Sequence, residues 1–115
     1  MELQDYFKFE NYTFIIPESD ILKVTPELLD DLYFDKTESE QTNVFFILLN
    51  EYYYLKNKKL LKEVAHVCYL ISYYLFVPLT PPASEELALI YAEKAIEFDK
   101  ILKYDEWLEY VKKGN

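Results

Sequence analysis

A long stretch without charged side chains constrains the fold of this chain more than any other feature. No charged residue occurs between Glu63 and Glu85, and residues 64–79 are almost all apolar or aromatic. Pro78, Pro81 and Pro82 limit a helix here to about one and a half dozen residues, fewer than the ~20 that cross a bilayer. An all-apolar helix of that length is typical of the buried centre of a bundle. We therefore predict a central helix enclosed by the rest of the chain.

Composition and charge limit the possible functions. The 115 residues suffice for one domain, and 51% of them are hydrophobic, which predicts a packed core. The formal net charge is −9, and the chain has one glycine and no arginine. Glycine-rich phosphate loops are therefore not expected, and the negative charge opposes direct binding of nucleic acid. A basic protein partner would be attracted.

The cysteine content and the N-terminal residues favour a cytoplasmic protein without a membrane segment. Cys68 is the single cysteine and cannot form an internal disulfide. The first residues, Met1 to Asp5, have neither the basic region nor the apolar region of a signal peptide.

Residues 1–24 are predicted to form an N-terminal arm that packs on the helices. From Asp5 to Ile16, apolar and polar residues alternate imperfectly and aromatic residues are frequent, as in a β-strand. Glu10-Asn11 is a possible hairpin turn, although it lacks glycine. An irregular extended arm is the alternative.

Two helix starts are visible in the first half of the predicted bundle, residues 25–115. Thr25-Pro26-Glu27 combines a capping residue, a proline at the first position and an acid in the first turn, and predicts a helix to about Phe34. Thr37 and Glu40 have the spacing of a capping box and predict a helix to about Lys56. The helical period assigns this second helix an apolar core stripe of Phe45, Leu48, Leu49, Tyr52 and Leu55.

A second face of the same helix carries Phe46 and Tyr53 among asparagines, which favours a contact with a partner. Consecutive residues on a helix differ in direction by about 100°, so Tyr52, Tyr53 and Tyr54 cannot all face the core. We expect at least one of them to reach solvent or a partner.

Three further elements complete the predicted bundle. The central helix should begin near Leu60, with inward residues Leu60, Leu61, Val64, Val67, Cys68, Ile71 and Leu75. The three prolines of residues 77–83 should end it. Ser84 should cap the next helix, whose alanines at 88, 92 and 95 allow close packing, and Asp105 should cap a last helix that ends at Lys113 and Gly114.

The segment from Ala88 to Asp99 resembles the second helix of a tetratricopeptide repeat. Residues 104–108, with Trp107, resemble the start of a following repeat, and Leu70 and Tyr74 occupy the family's Leu and Tyr positions. Ile71 stands where the family usually has glycine, the proline loop is too long by about five residues, and Lys100 replaces the usual proline. The resemblance covers about residues 64–111 and implies a stack of helical hairpins that binds protein segments. It transfers no binding residues.

Few residues suit catalysis or metal binding. His66 has no serine or acidic partner at a suitable spacing, and we interpret it as a hydrogen-bonded core histidine. His66 and Cys68, two residues apart on a helix, do not face each other and are too few for an all-nitrogen-and-sulfur zinc site. Asp30, Asp31 and Asp35 could bind a cation, but a solvated acidic face is the simpler interpretation.

These features together predict a mainly α protein: a four- to five-helix bundle of antiparallel, tetratricopeptide-like hairpins with a short extended or β-like arm. We expect no catalytic residue, no metal and no cofactor. The expected function is binding of a basic protein partner, in the manner of a toxin-neutralising immunity protein, an adaptor or a secretion chaperone. The alternatives are an acidic nucleic-acid mimic, and an enzyme that uses Asp30, Asp31 or His66. The predicted partner-binding residues are Asp30, Asp31, Phe46, Tyr53, Tyr54 and Trp107.

Overall fold

Helices account for most of the residues that the structure, a computed structural model, describes, which are 2–8 and 15–114. A 3-10 helix covers Leu3–Phe7. The α-helices are α1 Glu18–Ile21, α2 Pro26–Phe34, α3 Glu38–Asn57, α4 Leu61–Tyr74, α5 Ser84–Phe98 and α6 Leu102–Lys113. The prediction of a mainly helical fold is confirmed, and the two described ranges contain no strand.

The predicted central helix is α4, and it is enclosed by the other helices. It contacts α1, α2, α3 and α5 along its length. Ile71 is 0% exposed, and Leu75, just beyond the helix, is 1% exposed. Burial of a helix on all sides removes a large apolar area from water, which is the main stabilising contribution to a fold of this size. Within the described part of the chain, no helix is long and apolar enough to span a bilayer.

The buried polar side chains of α4 are hydrogen-bonded to the surrounding elements. The His66 Nε2 lies 2.8 Å from the carbonyl oxygen of Val24, in the segment before α2. The Tyr74 hydroxyl donates to the carbonyl of Gln41 in the first turns of α3. Since Tyr74 is the last residue of α4 and a short turn joins the two helices, α3 and α4 run antiparallel. The prediction of a hydrogen-bonded core histidine is confirmed.

Both predicted helix starts in the first half are confirmed. The Thr25 hydroxyl accepts the Leu28 N–H at 3.2 Å at the start of α2. At the start of α3, the Glu40 carboxylate accepts the Thr37 N–H at 3.0 Å, and the Thr37 hydroxyl accepts the Glu40 N–H at 3.4 Å. These bonds satisfy backbone donors that have no partner inside a helix.

The predicted capping residues of the last two helices are wrong, by one residue for α5 and by four residues for α6. Ser84 is the first residue of α5, and the capping position belongs to Ala83, which has a left-handed φ of 63°. Asp105 lies in the first turn of α6, and Ile101 occupies the capping position. There the Asp105 carboxylate still interacts favourably with the helix dipole. The buried alanines of α5 and the ending at Gly114 are as predicted.

The ends of α4 also differ from the prediction. Leu61, expected in the core, is 52% exposed, because side chains on a helix point toward its N-terminus and Leu61 is the first residue. At the other end the helical path does not stop before Pro78 but continues as a π-helical turn, Leu75–Leu79. The Thr80 N–H closes this turn on the Leu75 carbonyl at 3.2 Å.

The N-terminal segment is helical where a strand-like pattern was predicted. Leu3–Phe7 is a 3-10 helix in which the Glu2 N–H donates to the Asp5 carboxylate at 3.1 Å. The adjacent side chains of Tyr6 and Phe7 are both buried, which an alternating strand does not allow. The strand interpretation is therefore wrong for these residues, and α1 adds a helix within the predicted arm. The proposed turn at Glu10-Asn11 lies outside the described residues.

The buried face of α3 is rotated from the predicted one and includes a carboxyl group. Phe45 and Leu49 are only partly buried, whereas Glu51 is 0% exposed. The Glu51 Oε1 accepts the N–H of Ile16 at 2.8 Å, which attaches the segment before α1 to α3. The Oε2 atom has no hydrogen-bond partner among the described residues. The fully buried residues of this face are Val44, Ile47, Leu48, Glu51, Tyr52 and Leu55.

Burial raises the pKa of Glu51 from 4.5 to about 7, with a further contribution from the nearby Glu18 carboxylate. The bond from the Ile16 N–H acts in the opposite direction but is the weaker effect. Because the folded protein keeps this proton where the unfolded chain has released it, the stability that Glu51 contributes is complete below about pH 4.5 and is lost as the pH rises to about 7.

We predict that Glu51→Gln removes this pH dependence. Glutamine can still accept the Ile16 N–H but cannot ionise. Between pH 5 and pH 8, the free energy of unfolding of the wild type should fall by up to about 3 kcal/mol relative to the variant, as measured by urea denaturation. Glu93→Gln, at an exposed position of α5, is the control and should keep the wild-type slope. Equal slopes for wild type and Glu51→Gln would contradict the assignment.

Candidate functional site

The acidic helix α2 is tied to α4 through Asp30. The Tyr73 hydroxyl donates to the Asp30 carboxylate, 2.8 Å from Oδ2 and 3.0 Å from Oδ1. Burial raises the pKa of Tyr73, and the bond to Asp30 and the nearby Glu27 carboxylate raise it further. Asp30 is partly buried, so the interpretation of a fully solvated acidic face is wrong for this residue, while Asp31 and Asp35 are exposed.

Trp107 is held against the same part of α4. Its indole N–H donates to the Ser72 hydroxyl at 2.8 Å, and that hydroxyl donates in turn to the Ala88 carbonyl at 2.6 Å. The ring centroids of Tyr73 and Trp107 are 5.5 Å apart. Tyr73 therefore contacts both Asp30 and Trp107, so two of the predicted binding residues, distant in sequence, belong to one site.

Further aromatic rings extend this site along α4 and α6. Trp107 and Tyr110 stack with centroids 5.4 Å apart, and Tyr69 meets Trp107 edge-on at 6.0 Å. Tyr110 is 52% exposed. Burial is the main cause of the raised pKa values of Tyr69 and Tyr73. The carboxylate of Glu27, on α2, is close enough to raise both pKa values further. The acidic–aromatic surface is defined here as Glu27, Asp30, Tyr69, Tyr73, Trp107 and Tyr110.

The predicted residues Phe46 and Tyr53 lie on another part of the molecule, on the outer face of α3. Phe46 is 54% exposed and Tyr53 is 56% exposed, and Tyr52, as expected for consecutive residues, is buried. Phe46 borders an open groove of about 480 Å³ between α3, α5 and the proline segment. The lining residues are Tyr33, Glu38, Gln41, Thr42, Phe45, Phe46, Leu75, Leu79, Pro81, Pro82 and Leu87.

Tyr54 and Asp31 occupy two further places. Tyr54 packs under the ammonium group of Lys58, which lies 5.1 Å from the ring centroid, and Lys58 pairs with Glu18 of α1 at 3.3 Å. This contact joins the end of α3 to α1. Asp31 lines a depression of about 360 Å³ next to Phe34, which is 82% exposed. The structure thus distributes the predicted residues over several surfaces: Asp30 and Trp107 meet through Tyr73, whereas Phe46 and Tyr53 lie on the outer face of α3.

His66 and Cys68, the histidine and the cysteine of α4, lie inside the core. Burial lowers the pKa of His66, so its ring is neutral at pH 7 while it bonds to the Val24 carbonyl. Burial raises the pKa of Cys68 to about 12, and a thiol rather than a thiolate is present. In the described residues, no three side chains among His, Cys, Asp and Glu are grouped in a way that could hold a metal ion.

The sequence reasoning missed Tyr69, Tyr73 and Tyr110 as members of the site. A signal for them existed: Tyr69 and Tyr73 are four residues apart and Trp107 and Tyr110 are three apart, so each pair shares one helix face. The sequence alone did not show that these two faces meet.

We predict that the bond between Tyr73 and Asp30 stabilises the fold. Tyr73→Phe and Asp30→Ala should each lower the free energy of unfolding, and a double-mutant cycle should give a coupling of about 1 kcal/mol because the acceptor is charged but partly exposed. Urea denaturation of the four proteins measures it. Tyr53→Phe, at an exposed ring, should change stability by less than about 0.5 kcal/mol. If the changes in the free energy of unfolding caused by the two substitutions are strictly additive, the two side chains do not interact and the prediction is wrong.

Comparison of the chain with protein-family models, with curated proteins and with solved structures gave no match. The tetratricopeptide resemblance over residues 64–111 therefore stays a prediction.

Proposed function

We propose that this protein is a non-catalytic protein-binding module that docks a basic protein partner on the acidic–aromatic surface. An immunity protein that neutralises a toxin, an adaptor and a secretion chaperone are the kinds of protein that work in this way. The partner would bring lysine and arginine side chains to a chain whose formal net charge is −9.

The contact of Tyr73 with both Asp30 and Trp107 is the observation that carries this proposal. It places carboxylates and large aromatic rings on one continuous surface. Carboxylates at an interface accelerate association with a basic partner, while Trp and Tyr side chains supply most of the affinity. A surface with both features suits a specific protein partner better than a purely acidic one would.

The placement of the reactive side chains supports a non-catalytic role. The Ser72 hydroxyl donates to the Ala88 carbonyl and accepts the Trp107 indole N–H, so it is committed to structure. His66 and Cys68 lie in the core, 6% and 0% exposed. A substrate cannot approach these groups without opening the fold.

The packing of α4 against α5 supports the finer architecture implied by the resemblance. Ala88, Ala92 and Ala95 are buried on α5, and the Ser72 hydroxyl of α4 reaches the Ala88 carbonyl. Small residues let two helix backbones approach closely, as in the hairpin of a tetratricopeptide repeat. We include a hairpin of this kind, formed by α4 and α5, in the proposal.

We predict that Glu27→Lys and Tyr110→Ala weaken the partner complex. Both side chains are exposed, so folding should be retained. Glu27→Lys should slow association several-fold at low salt, and Tyr110→Ala should speed dissociation about tenfold. The partner is captured from native cells with the wild-type protein and purified, and its kinetics with each variant are measured by surface plasmon resonance.

Matched variants distinguish the surfaces. Glu93→Lys changes the same charge on α5, and Tyr53→Ala removes an exposed tyrosine from α3. Both should leave binding nearly unchanged. If Tyr53→Ala weakens the complex and Tyr110→Ala does not, the interface lies on α3 and the proposed surface is wrong. The acidic mimic of nucleic acid predicts a different result. Salt alone would release the partner, Glu27→Lys and Glu93→Lys would weaken binding equally, and neither alanine variant would change it.

A further inference from the structure

A depression in the acidic–aromatic surface already contains one cation of the chain itself. The depression has a volume of about 280 Å³ and is lined by Tyr69, Lys103, Glu106, Trp107 and Tyr110. The ammonium nitrogen of Lys103 lies 4.9 Å from the ring centroid of Tyr69 and 5.5 Å from that of Tyr104. Both distances are within the ~6 Å over which an aromatic ring attracts a cation. The depression is therefore suited to positive charge.

The charges around the depression favour a second cation. Glu106 lines it directly, and Glu27 lies near Tyr69. Asp30 is joined to the site through Tyr73, whose ring contacts Trp107. Among the lining residues, the carboxylate of Glu106 balances the ammonium group of Lys103. Glu27 and Asp30, next to the lining residues, add two further carboxylates to this part of the surface.

The indole of Trp107 is oriented before any partner binds. Its N–H is fixed to the Ser72 hydroxyl at 2.8 Å, and its ring stacks on Tyr110 with an interplanar angle of 23°. Lys103 lies over Tyr69 and Tyr104, not over the indole. Trp provides the most favourable ring for a cation, and a ring that is already fixed loses little entropy on binding.

We infer that this depression receives an arginine side chain of the partner beside Trp107, and that Lys103 occupies part of that place in the free protein. This inference rests on the proposed function and identifies the partner group that the surface recognises. An arginine fits better than a lysine, because a planar guanidinium can lie against the aromatic rings that line the depression while its N–H groups reach the carboxylate of Glu106. Lys103 would compete with it both for the rings and by charge repulsion.

The single tryptophan of the chain reports directly on this place. The probe is the peptide acetyl-Gly-Arg-Gly-amide, and its control is the same peptide with citrulline, a neutral analogue of arginine. We predict that the arginine peptide changes the fluorescence of Trp107 in a saturable manner and that the citrulline peptide does not. Lys103→Met should lower the Kd of the arginine peptide about threefold, since it removes the competing cation.

Lys100→Met is the matched control for net charge. Lys100 is exposed and is three residues from Lys103 in sequence, but it does not line the depression. It should change the Kd by less than about 1.5-fold, as expected for a screened surface charge. Equal responses to the two peptides would overturn the inference, and so would a Kd for Lys103→Met no lower than that for Lys100→Met. Circular dichroism of each variant checks that the helices are retained.

The two proposals can fail separately. If the arginine peptide fails these tests while Glu27→Lys and Tyr110→Ala still weaken the partner complex, the proposed function stands and the arginine site is wrong. If the peptides behave as predicted while neither variant affects a basic protein partner, the depression binds arginine but the proposed function is wrong.

Discussion

The fold depends on burying most of α4, and that requirement determines how its buried polar side chains are used. A polar group inside a core destabilises the protein unless it is hydrogen-bonded. His66 bonds to the segment before α2, Ser72 to α5 and α6, and Tyr74 to α3. Tyr73, at the edge of the core, bonds to α2. These four residues thus attach α4 to the elements that surround it.

The acidic–aromatic surface follows from the last part of α4. Ser72 is fully buried while Tyr73, the next residue, is partly exposed, so this turn passes from the core to the surface. The same turn holds Trp107 through Ser72 and Asp30 through Tyr73. Rings and carboxylates that are fixed by a rigid core keep a defined geometry, and such preorganisation lowers the entropic cost of any association.

Local signals in the sequence were sufficient for some elements. The capping residues Thr25 and Thr37 marked the starts of α2 and α3 because their hydroxyls act on backbone groups within one turn. The uncharged stretch identified α4 because only enclosure accommodates such a helix. The start of α6 was placed too late at Asp105, since an acid in the first turn and a capping acid look alike in sequence.

The remaining features depended on contacts between distant parts of the chain. Glu51 interrupts an apolar stripe, and only the neighbouring Ile16 backbone explains its inward position. Asp30 and Trp107 meet only because Tyr73 lies between them. Phe46 and Tyr53, which the helical period also predicted as binding residues, face away from the core on α3. Periodicity predicts which residues share a face of one helix, but not which faces come together.

Because Cys68 is buried, chemical labelling of its thiol can detect the local opening of α4. Reagents that alkylate or oxidise cysteine react with the nucleophilic thiolate, and Cys68 is 0% exposed with its pKa raised to about 12. Labelling therefore requires α4 to separate from the helices that cover Cys68. Because the chain has one cysteine, the labelling rate in native conditions reports how readily the central helix opens, and a ligand that stabilises the packing around α4 would lower that rate.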